Sequence, residues 1–311
     1  MANLVDQPPL RLLAVIVLYK MQPFESATFR SLQAAISTLS VAQDGVRVLL
    51  YDNTPGGCDP GPLPEGFQYE IALQNAGLAT AYNCALSIAE SGNYTWLLTL
   101  DQDTTLPPDF LFRLSKHALN IEPDNRVAAI VPRLSDEGRS ISPAFVNMFL
   151  ESYLSHGFVG VTKREIRALN SASLFRVDAL KQIGGFNPYF WLDFLDMYVY
   201  RQFHQYGWKV YVAGDIQVEH ELSLLHQDKL KAGRFRNFLW AECAFCDLYG
   251  GPIQGLAMTG RLVCRIWRQR RRGDDPAIRQ LTWDTLKRRI FQSKARRIDD
   301  WKSEMESSGR Q

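Results

Sequence analysis

The sequence predicts an α/β fold with a mostly parallel central β-sheet, and three observations support this prediction. First, the chain has 311 residues, 46% hydrophobic and 22% charged, which is ordinary for a globular protein with a large core. Second, apolar runs alternate with segments of helical periodicity through the first 135 residues, as in parallel sheets with helices on both faces. Third, most of these runs end in polar or turn-forming residues. The composition excludes collagen-like, mucin-like and wholly disordered proteins.

Each predicted strand is a short apolar run bounded by turn residues. The first covers residues 12–19 and is almost continuously apolar, which is typical of a strand buried on both faces. Four further strands follow at residues 47–51, 68–73, 94–100 and 127–131. The segment 52–57 contains only residues that favour turns or loops, so the second strand must stop there.

The predicted helices between these strands carry apolar residues at a helical spacing. Pro23 begins the first helix, whose apolar positions are Phe29, Leu32, Ala35, Ile36 and Leu39. The second helix covers residues 78–90, and its apolar face consists of Ala79, Tyr82, Leu86 and Ala89. A third helix begins at Pro107-Pro108.

The alternation weakens between Ser135 and Arg167, which indicates an insertion. It resumes with an apolar segment, a short helix, a longer helix and a strand, at residues 168–175, 177–183, 194–206 and 209–213. Glycines follow both helices, as they do at many helix ends.

Polar side chains at the ends of the predicted strands mark the expected binding site. In open α/β sheets, ligands bind in the crevice beyond the carboxyl ends of the strands. The residues found there are mostly carboxylates and amides: Tyr19, Asp52, Asn53, Asn75, Gly77, Asp101 and Asp103.

The phosphate-binding glycine motifs of two common nucleotide folds are missing. Residues 20–23 follow the first strand without the G-x-G-x-x-G of dinucleotide-binding units, and the sequence contains no P-loop. A divalent metal held by strand-end carboxylates would neutralise phosphates instead. Asp101-Gln102-Asp103 provides such carboxylates after an apolar strand, although the same pattern could also cap the following helix.

The chain resembles the family 2 inverting glycosyltransferases, which have the GT-A fold, and within them the bacterial rhamnosyltransferase branch. The resemblance covers residues 10–222 and depends on the order and spacing of several short motifs. These are Val17-Leu18-Tyr19, Tyr51-Asp52-Asn53-Thr54, Asn75-Ala76-Gly77, Ala81-Tyr82-Asn83, Leu100-Asp101-Gln102-Asp103, Asn170-Ser171-Ala172-Ser173-Leu174-Phe175, Ile183-Gly184-Gly185-Phe186 and Phe190-Trp191-Leu192-Asp193-Phe194-Leu195-Asp196.

The resemblance implies where a nucleotide-sugar donor would bind. Tyr19 and Asp52 would contact the nucleoside, with Asp52 accepting a hydrogen bond from a pyrimidine imide. The nucleotide side of the crevice would be lined by Asn75, Gly77 and Asn83. Asp101 would face the ribose or the sugar, and Asp103 would hold Mg²⁺ or Mn²⁺ on the diphosphate. His220 would lie near the metal, unless it is a structural histidine.

The resemblance also implies a catalytic base. Inverting transfer needs a carboxylate that deprotonates the acceptor hydroxyl while the nucleotide diphosphate leaves from the opposite face. Asp196 takes the position of this base, and Asp193 would bind sugar or acceptor hydroxyls. Alternatively, both are carboxylates stabilised by the dipole at the start of a helix.

These roles lead to an expected function and two alternatives. We expect transfer of L-rhamnose from dTDP-rhamnose, with inversion, to a hydroxyl of a bacterial polysaccharide or a lipid-linked glycan. One alternative is a family 2 transferase with another donor, such as UDP-galactofuranose or a UDP-hexose. The other is an inactive module that only binds a nucleotide-sugar.

The expected domains differ in charge. Residues 1–222 would form the catalytic domain, with a nucleotide-sugar half at 1–135 and an acceptor half at 136–222, and residues 223–311 would form a basic helical extension. The net charge is +2, but the segment 261–297 carries thirteen Lys and Arg against three Asp, which leaves −8 for the remainder. Charge separated in this way favours an anionic partner.

One helix of the extension has the pattern of a helix at a membrane interface. Its apolar residues are Leu262, Val263, Ile266 and Trp267, and its arginines along another face are Arg261, Arg265, Arg268 and Arg272. Alternatively, the apolar stripe packs on the catalytic domain. The acidic body and the absence of a recognisable motif argue against nucleic acid.

The expected location is the cytoplasm. The apolar run at residues 12–19 is too short to span a bilayer, and no leader pattern precedes it. The five cysteines form no zinc pattern, and we expect them to be reduced. The protein would act there or at the inner face of the cytoplasmic membrane.

Overall fold

Strand β1 (Leu12–Leu18) lies in the interior of the sheet with a strand on each side, and all seven of its residues are buried. In the computed structural model, which describes residues 10–39, 45–121, 126–146, 152–155, 157–221 and 232–308, β1 pairs in parallel with β2 (Val46–Asp52) and β4 (Trp96–Asp101). This register places Asp52 beside Leu18 and Asp101 beside Val17. Two polar strand ends therefore meet at one edge of the sheet.

The sheet is mixed but mostly parallel, which confirms the predicted fold class. Its main order among the described strands is β10-β13-β6-β12-β4-β1-β2-β3, with β5 beside β13 and β7 beside β6. Strand β12 runs antiparallel to both of its neighbours, and β10 runs antiparallel to β13. The remaining strands are β3 (Phe67–Ile71), β5 (Thr104–Thr105), β6 (Val127–Asp136), β7 (Arg139–Ser142), β8 (Ala144–Phe145), β9 (Ser152–Tyr153), β10 (Val159–Thr162), β11 (Ile166–Arg167), β12 (Ser173–Arg176) and β13 (Lys209–His220). Strands β11, β8 and β9 form a separate small sheet.

Helices cover both faces of the sheet, as the sequence predicts. Five of them are α1 (Ala27–Ser37), α2 (Gly77–Ser91), α3 (Phe110–Ile121), α4 (Val177–Gln182) and α5 (Leu195–Gln205). Alternate residues of β1 point into the two cores: Leu13 packs on the side of α2, α4 and α5, and Leu12 packs on the side of α1 and α3. Short 3-10 helices lie at Pro23–Glu25 and Pro188–Phe190.

Several predicted boundaries are wrong, and three of these errors have identifiable reasons. Strand β6 continues beyond residue 131 and β13 continues beyond residue 213 because the two strands pair in parallel along polar stretches that an apolar-run criterion misses. The first α-helix begins at Ala27 rather than at Pro23. Pro23 instead opens a 3-10 turn, and the Ser26 hydroxyl accepts a hydrogen bond from the Phe29 amide to cap α1.

The C-terminal part of the chain is helical, as predicted. It contains α6 (Ala232–Tyr249), α7 (Pro252–Arg272), α8 (Pro276–Phe291) and α9 (Lys294–Ser308). Helices α6, α7 and α8 share a small apolar core, and α6 and α9 contribute Ala241, Ala244 and Trp301 to the core that contains Leu13. The predicted boundary at residues 222 and 223 lies outside the described residues. No helix in the described part of the chain is both long enough and apolar enough to cross a membrane.

Candidate functional site

An open cleft of about 1850 Å³ lies where the carboxyl ends of β1, β2 and β4 face helices α5, α6 and α7. Eight of the ten predicted site residues line it: Tyr19, Asn75, Gly77, Asp101, Asp103, Asp193, Asp196 and His220. The other two predicted residues, Asp52 and Asn83, do not line the cleft. The structure thus brings most of the strand-end residues together.

Asp101, Asp103 and His220 form a candidate metal centre. One possible ligand atom from each lies within 4.8 Å of the others, a spacing that one ion with bonds of about 2.1 Å can close with small side-chain movements. His220 comes to the site because β13 pairs with β5, which places His220 opposite Thr104. Two carboxylates and an imidazole suit a divalent cation such as Mn²⁺.

Electrostatics also favour a cation at this position. Burial and the neighbouring Asp101 carboxylate raise the pKa of Asp103 to about 6, while His220 opposes the shift. His220 Nδ1 lies 3.5 Å from Asp103 Oδ1, and His220 Nε2 lies 3.9 Å from Asp101 Oδ2. Two adjacent carboxylates repel each other when both are ionised, and a bound cation removes this repulsion.

Asp101 is held in place by groups around the strand end. The hydroxyl of Tyr82 on α2 donates a hydrogen bond to Asp101 Oδ1 at 3.0 Å, and the Asp101 amide donates to Ser171 Oγ at 3.1 Å. The Thr104 hydroxyl bridges Ser171 Oγ, at 2.6 Å, and His220 Nδ1, at 3.0 Å. The sequence predicts Tyr82 only as part of an apolar helix face, and its hydrogen bond becomes visible only in the fold.

Asp193 and Asp196 lie on either side of the start of α5, but their environments differ. Asp193 is 8% exposed and forms an ion pair with Arg234 of α6. Burial raises the pKa of Asp193, and Arg234 opposes this rise. Asp196 Oδ1 accepts a hydrogen bond from the Met197 amide at 2.7 Å. Burial raises the pKa of Asp196 to about 6, against the effects of Met197 and Arg167.

Between these carboxylates the backbone adopts a sparsely populated conformation. Phe194 has a φ of 65°, which is the left-handed region and is unusual for a bulky residue. Its ring packs against Phe238 and Phe245 of α6, with centroids 5.7 and 5.6 Å away. Packing from α6 therefore holds the segment 193–196, which carries both carboxylates and leads into α5.

The cleft wall at the start of α2 contains a close approach of two backbone segments. Gly77 has a φ of 77°, and a Cβ at this position would lie 2.5 Å from the Trp191 carbonyl oxygen. That carbonyl accepts a hydrogen bond from the Leu78 amide at 2.6 Å. Asn75 Oδ1 accepts one from the Gly77 amide at 3.2 Å. Glycine is therefore required here, because any side chain would push Trp191 away from the cleft wall.

Asp52 does not face the cleft, which differs from the expected contact with a nucleobase. Its side chain is fully buried, and its oxygens accept hydrogen bonds from the Thr54 amide at 2.8 Å, the Tyr69 hydroxyl at 2.5 Å and the Cys58 thiol at 3.2 Å. Burial alone would raise the pKa of Asp52, but these hydrogen bonds lower it below its ordinary value. The strand-end position was predicted correctly, but Tyr69 and Cys58 occupy the acceptor atoms.

The next residue, Asn53, does line the cleft. It is 3% exposed, and its Nδ2 donates a hydrogen bond to the Gly77 carbonyl at 3.2 Å. Its Oδ1 is buried and has no hydrogen-bond partner in the described part of the chain. A buried acceptor without a donor is costly, so this atom is suited to a ligand N–H or O–H group.

Asn83 is also placed differently from the expectation. Its Nδ2 donates to the Phe186 carbonyl at 2.7 Å, and its Oδ1 accepts from the Phe186 amide at 2.9 Å. The nitrogen and the oxygen of the Asn83 side chain therefore both bind the loop after α4 and hold it against α2. This reciprocal pair explains why the side chain lies outside the cleft.

Helices α6 and α7 supply a cleft wall whose role sequence reasoning missed. All four arginines of the predicted interfacial helix line the cleft: Arg261, Arg265, Arg268 and Arg272. The four apolar residues do not share one exposed face. Leu262 and Ile266 are buried in the helical core, whereas Val263 and Trp267 are 51% and 57% exposed. The spacing of the arginines correctly predicted that they share one face of α7, but the sequence alone could not show whether that face lines the cleft or packs elsewhere.

Comparison with known proteins agrees with this architecture. Residues 62–184 match the model of the family described as Glycosyl transferase family 2. The structure is similar to that of GalNAc-T7, crystallised with UDP, GalNAc and Mn²⁺, at 13% sequence identity and a TM-score of 0.55. The match covers 79% of this chain and 52% of that one, so the chain spans about half the length of GalNAc-T7.

The structure is also similar to that of Staphylococcus aureus TarS. Residues 1–349 of TarS match at 13% identity and a TM-score of 0.50, covering 96% of this chain and 91% of that one. A longer TarS chain matches at 14% identity and the same TM-score, covering 96% and 55%. No curated protein gave a significant sequence match. At these identities the structural similarities establish the fold, which is the predicted GT-A fold.

Proposed function

We propose that this protein transfers a sugar from a nucleotide-sugar donor to a hydroxyl group of an acceptor. The observation that carries the proposal is the shared cleft, which joins the cluster of Asp101, Asp103 and His220 to a separate, half-buried carboxylate, Asp196. The family model matched by residues 62–184 supports the same class of reaction.

The cluster would hold a divalent metal. Mn²⁺ or Mg²⁺ bound there would stabilise the negative charge that develops on the leaving nucleotide diphosphate. The hydrogen bond that Asp101 accepts from Tyr82 and the one that its amide donates to Ser171 would fix Asp101 for this task, and Thr104 would fix the orientation of His220. Such supporting contacts tune a metal site and are costly to lose.

Asp196 is our candidate for the general base. A carboxylate oxygen of Asp196 would take the proton of the acceptor hydroxyl while the acceptor oxygen bonds to the anomeric carbon. The bond from that carbon to the donor diphosphate breaks, and its electron pair leaves with the diphosphate. Direct displacement of this kind inverts the anomeric carbon. Asp193 is less suited to the role, because Arg234 stabilises its ionised form and occupies one of its oxygens.

For the donor, we propose that Asn53 rather than Asp52 takes the nucleobase contact. The imide N–H of uracil or thymine would donate to the unpartnered Asn53 Oδ1. Tyr19, which is 39% exposed at the same cleft, would contact the nucleoside from the end of β1. We retain dTDP-rhamnose as the first candidate donor. The presence of UDP and GalNAc in the GalNAc-T7 crystal makes UDP-sugars the second candidate.

We also propose that an exposed face of α7 rests on an anionic membrane, at the inner face of the cytoplasmic membrane. Its apolar residues are Ile253, Leu256, Val263 and Trp267, each more than half exposed. At about 100° per residue they share one side of the helix. Arg270 and Arg271 follow, and the Arg271 guanidinium lies 4.2 Å from the centre of the Trp267 ring. Exposed apolar residues beside arginines are typical of helices that lie in a lipid interface.

A donor screen tests the proposed reaction. The probes are dTDP-rhamnose, UDP-glucose, UDP-galactose, UDP-galactofuranose and UDP-GlcNAc, each with Mg²⁺ and with Mn²⁺. We expect one of them to raise the melting temperature and to release its nucleotide diphosphate slowly by hydrolysis. The Asp103→Asn variant should lose both effects. Binding without release, even when acceptors are supplied, would favour the inactive nucleotide-sugar-binding module.

A further inference from the structure

One face of α7 carries a row of arginines that point into the cleft. Arg261, Arg265, Arg268 and Arg272 recur at intervals of four, three and four residues, which places them on one side of the helix. All four line the same cleft as the Asp101–Asp103 pair. At 1.5 Å per residue the row extends over roughly 16 Å. This is longer than one diphosphate, so the row provides more than one position for an anion.

The charges along this row are only partly neutralised within the protein. Arg261 and Arg265 both bind Glu242, at 3.2 and 2.7 Å. Arg268 and Arg272 are exposed and make no hydrogen bond or ion pair with any residue that the structure describes. Their guanidinium groups therefore remain available for a ligand with phosphate oxygens, which arginine binds in a bidentate manner.

Other carboxylates near the row leave this conclusion unchanged. Asp274 and Asp275 line the cleft just beyond the end of α7. The Asp275 side chain accepts a hydrogen bond from the Ala277 amide at 2.7 Å and thereby caps α8. The four arginines of the row exceed the three carboxylates along it, which are Glu242, Asp274 and Asp275, so this wall keeps a net positive charge.

A second observation points independently to a ligand at this wall. Gln269 lies between Arg268 and Arg272 on α7, lines the cleft and is 5% exposed. Its Oε1 is buried without a hydrogen-bond partner in the described part of the chain. A ligand hydroxyl would satisfy this atom. The wall thus offers donors for an anion beside an acceptor for a hydroxyl group.

Contacts of aromatic rings connect the arginine row of α7 to Phe194, which lies between Asp193 and Asp196. The Phe238 ring lies 5.7 Å from the Phe194 ring, and the Arg265 guanidinium lies 5.8 Å from the Phe238 ring. Arg265 therefore lies on the α5 side of the cleft, where Asp196 is found. The strand ends that would hold the donor form the other wall. This position suits the acceptor rather than the donor diphosphate.

We propose that the arginine face of α7 binds phosphate groups of the acceptor, so that the acceptor is an anionic glycan or polyol rather than a neutral one. The proposal rests on the proposed transferase function, which supplies the distinction between donor and acceptor. The phosphate could belong to a water-soluble phosphate polymer or to a diphosphate that joins a glycan to a lipid. Both present the same oxygens to Arg268 and Arg272.

The test uses inorganic pyrophosphate as the probe, titrated calorimetrically into the full chain in the presence of EDTA. The R268Q/R272Q variant removes two unpaired guanidinium groups without touching the core. We expect it to weaken pyrophosphate binding by about 10-fold or more, because each group contributes charge-assisted hydrogen bonds. The matched control is R270Q/R271Q, which removes the same charge from the same helix outside the cleft lining and should change the affinity by less than about 2-fold.

Two further arms identify the source of the phosphate and separate this proposal from the proposed function. Glycerol phosphate oligomers and farnesyl diphosphate each compete with pyrophosphate, and the stronger competitor shows which kind of acceptor the wall prefers. Binding of UDP with Mn²⁺ should be equal in the wild type and both variants. If the wild type binds pyrophosphate but not any nucleotide, the transferase proposal fails while the anion site stands. Equal weakening in both double variants, or none in R268Q/R272Q, would overturn the anion site.

Discussion

The guanidinium of Arg234 on α6 pairs with the carboxylate of Asp193, in the loop that leads into α5. This contact joins the C-terminal helices to the loop that directly precedes the candidate base, Asp196, in the first turn of α5. Asp193 is 8% exposed, so its charge depends on this partner. The C-terminal helices are therefore part of the candidate site and do more than extend the catalytic half.

Removal of Arg234 should destabilise the protein and disturb the loop. We expect Arg234→Gln to lower the free energy of unfolding by about 2 kcal/mol, less than for a fully buried pair because Arg234 is 29% exposed. Urea unfolding measures this change. The matched control is Arg236→Gln. Arg236 lies two residues after Arg234 on α6, and this variant breaks its ion pair with Glu304 of α9. Equal losses in the two variants would mean that the Asp193 pair has no special importance.

Asp196→Asn should abolish most of the turnover without affecting donor binding. The amide is almost the same size as the carboxylate but cannot accept the proton, so kcat should fall by ~10²–10⁴-fold. Asp193→Asn should reduce kcat less, because the role expected of Asp193 is to bind sugar or acceptor hydroxyls and not to accept the proton. A larger loss of kcat in Asp193→Asn would show that the base has been assigned to the wrong carboxylate.

The pH dependence of turnover gives a second test of the same residue. Burial raises the pKa of Asp196 to about 6, and a general base acts only when it is unprotonated. We therefore expect kcat to be constant above this pH and to fall tenfold per pH unit well below it. In the Asp196→Asn variant, the residual kcat should no longer fall in this pH range. If kcat of the variant still falls below this pH, the pH dependence belongs to an ionisable group other than Asp196.

The metal centre can be tested without turnover. Changes to supporting residues alone cost ~10–100-fold in metal affinity, so loss of a direct ligand in Asp103→Asn should cost at least ~100-fold in Mn²⁺ affinity. Electron paramagnetic resonance of free Mn²⁺ measures this directly, with Asp109→Asn as the control outside the cleft. In the absence of metal, Asp103→Asn should melt no lower than the wild type, since it removes a repulsion with Asp101. Unchanged Mn²⁺ affinity would rule out Asp103 as a ligand.

The nucleobase contact distinguishes Asn53 from Asp52. We expect the wild type to prefer UDP or dTDP over CDP, because only uracil and thymine carry the imide N–H that Asn53 Oδ1 can accept. Asn53→Ala should reduce this preference by ~10-fold. Asp52→Asn should mainly lower the melting temperature, because its carboxylate holds the turn through Thr54, Tyr69 and Cys58. If Asp52→Asn loses the preference for UDP or dTDP and Asn53→Ala keeps it, Asp52 makes the nucleobase contact, as the sequence first suggested.

The sequence predicted the parts of the site that depend on strand ends and missed those that depend on packing. Apolar runs located the ends of β1 and β4, and parallel pairing then brought Tyr19 and Asp101 to the same edge. In contrast, Asp52 is removed from the cleft by Tyr69, a residue of the neighbouring strand. No local pattern records such a contact. The orientation of α7 was equally inaccessible, because its packed face is chosen by α6 and α8 rather than by its own periodicity.

The exposed face of α7 leads to the last prediction, which concerns membrane binding. Leu256 and Trp267 are 76% and 57% exposed, and burial of two such side chains in a lipid interface should strengthen partitioning by ~10-fold or more. We therefore expect the protein to sediment with phosphatidylglycerol vesicles at low salt and to be released at high salt. The L256S/W267S variant should lose most of this binding.

The control for this prediction is Phe112→Ser, which removes an apolar side chain that is 55% exposed on α3. It should leave vesicle binding unchanged, because the neighbouring Arg113 on α3 is already paired with Asp109 and Asp215. R270Q/R271Q should weaken binding to anionic vesicles alone, by about 1 kcal/mol for each arginine. R268Q/R272Q, whose side chains face the cleft, should bind vesicles as the wild type does. Equal binding to phosphatidylcholine and phosphatidylglycerol vesicles, or none to either, would exclude an anionic membrane as the partner of α7.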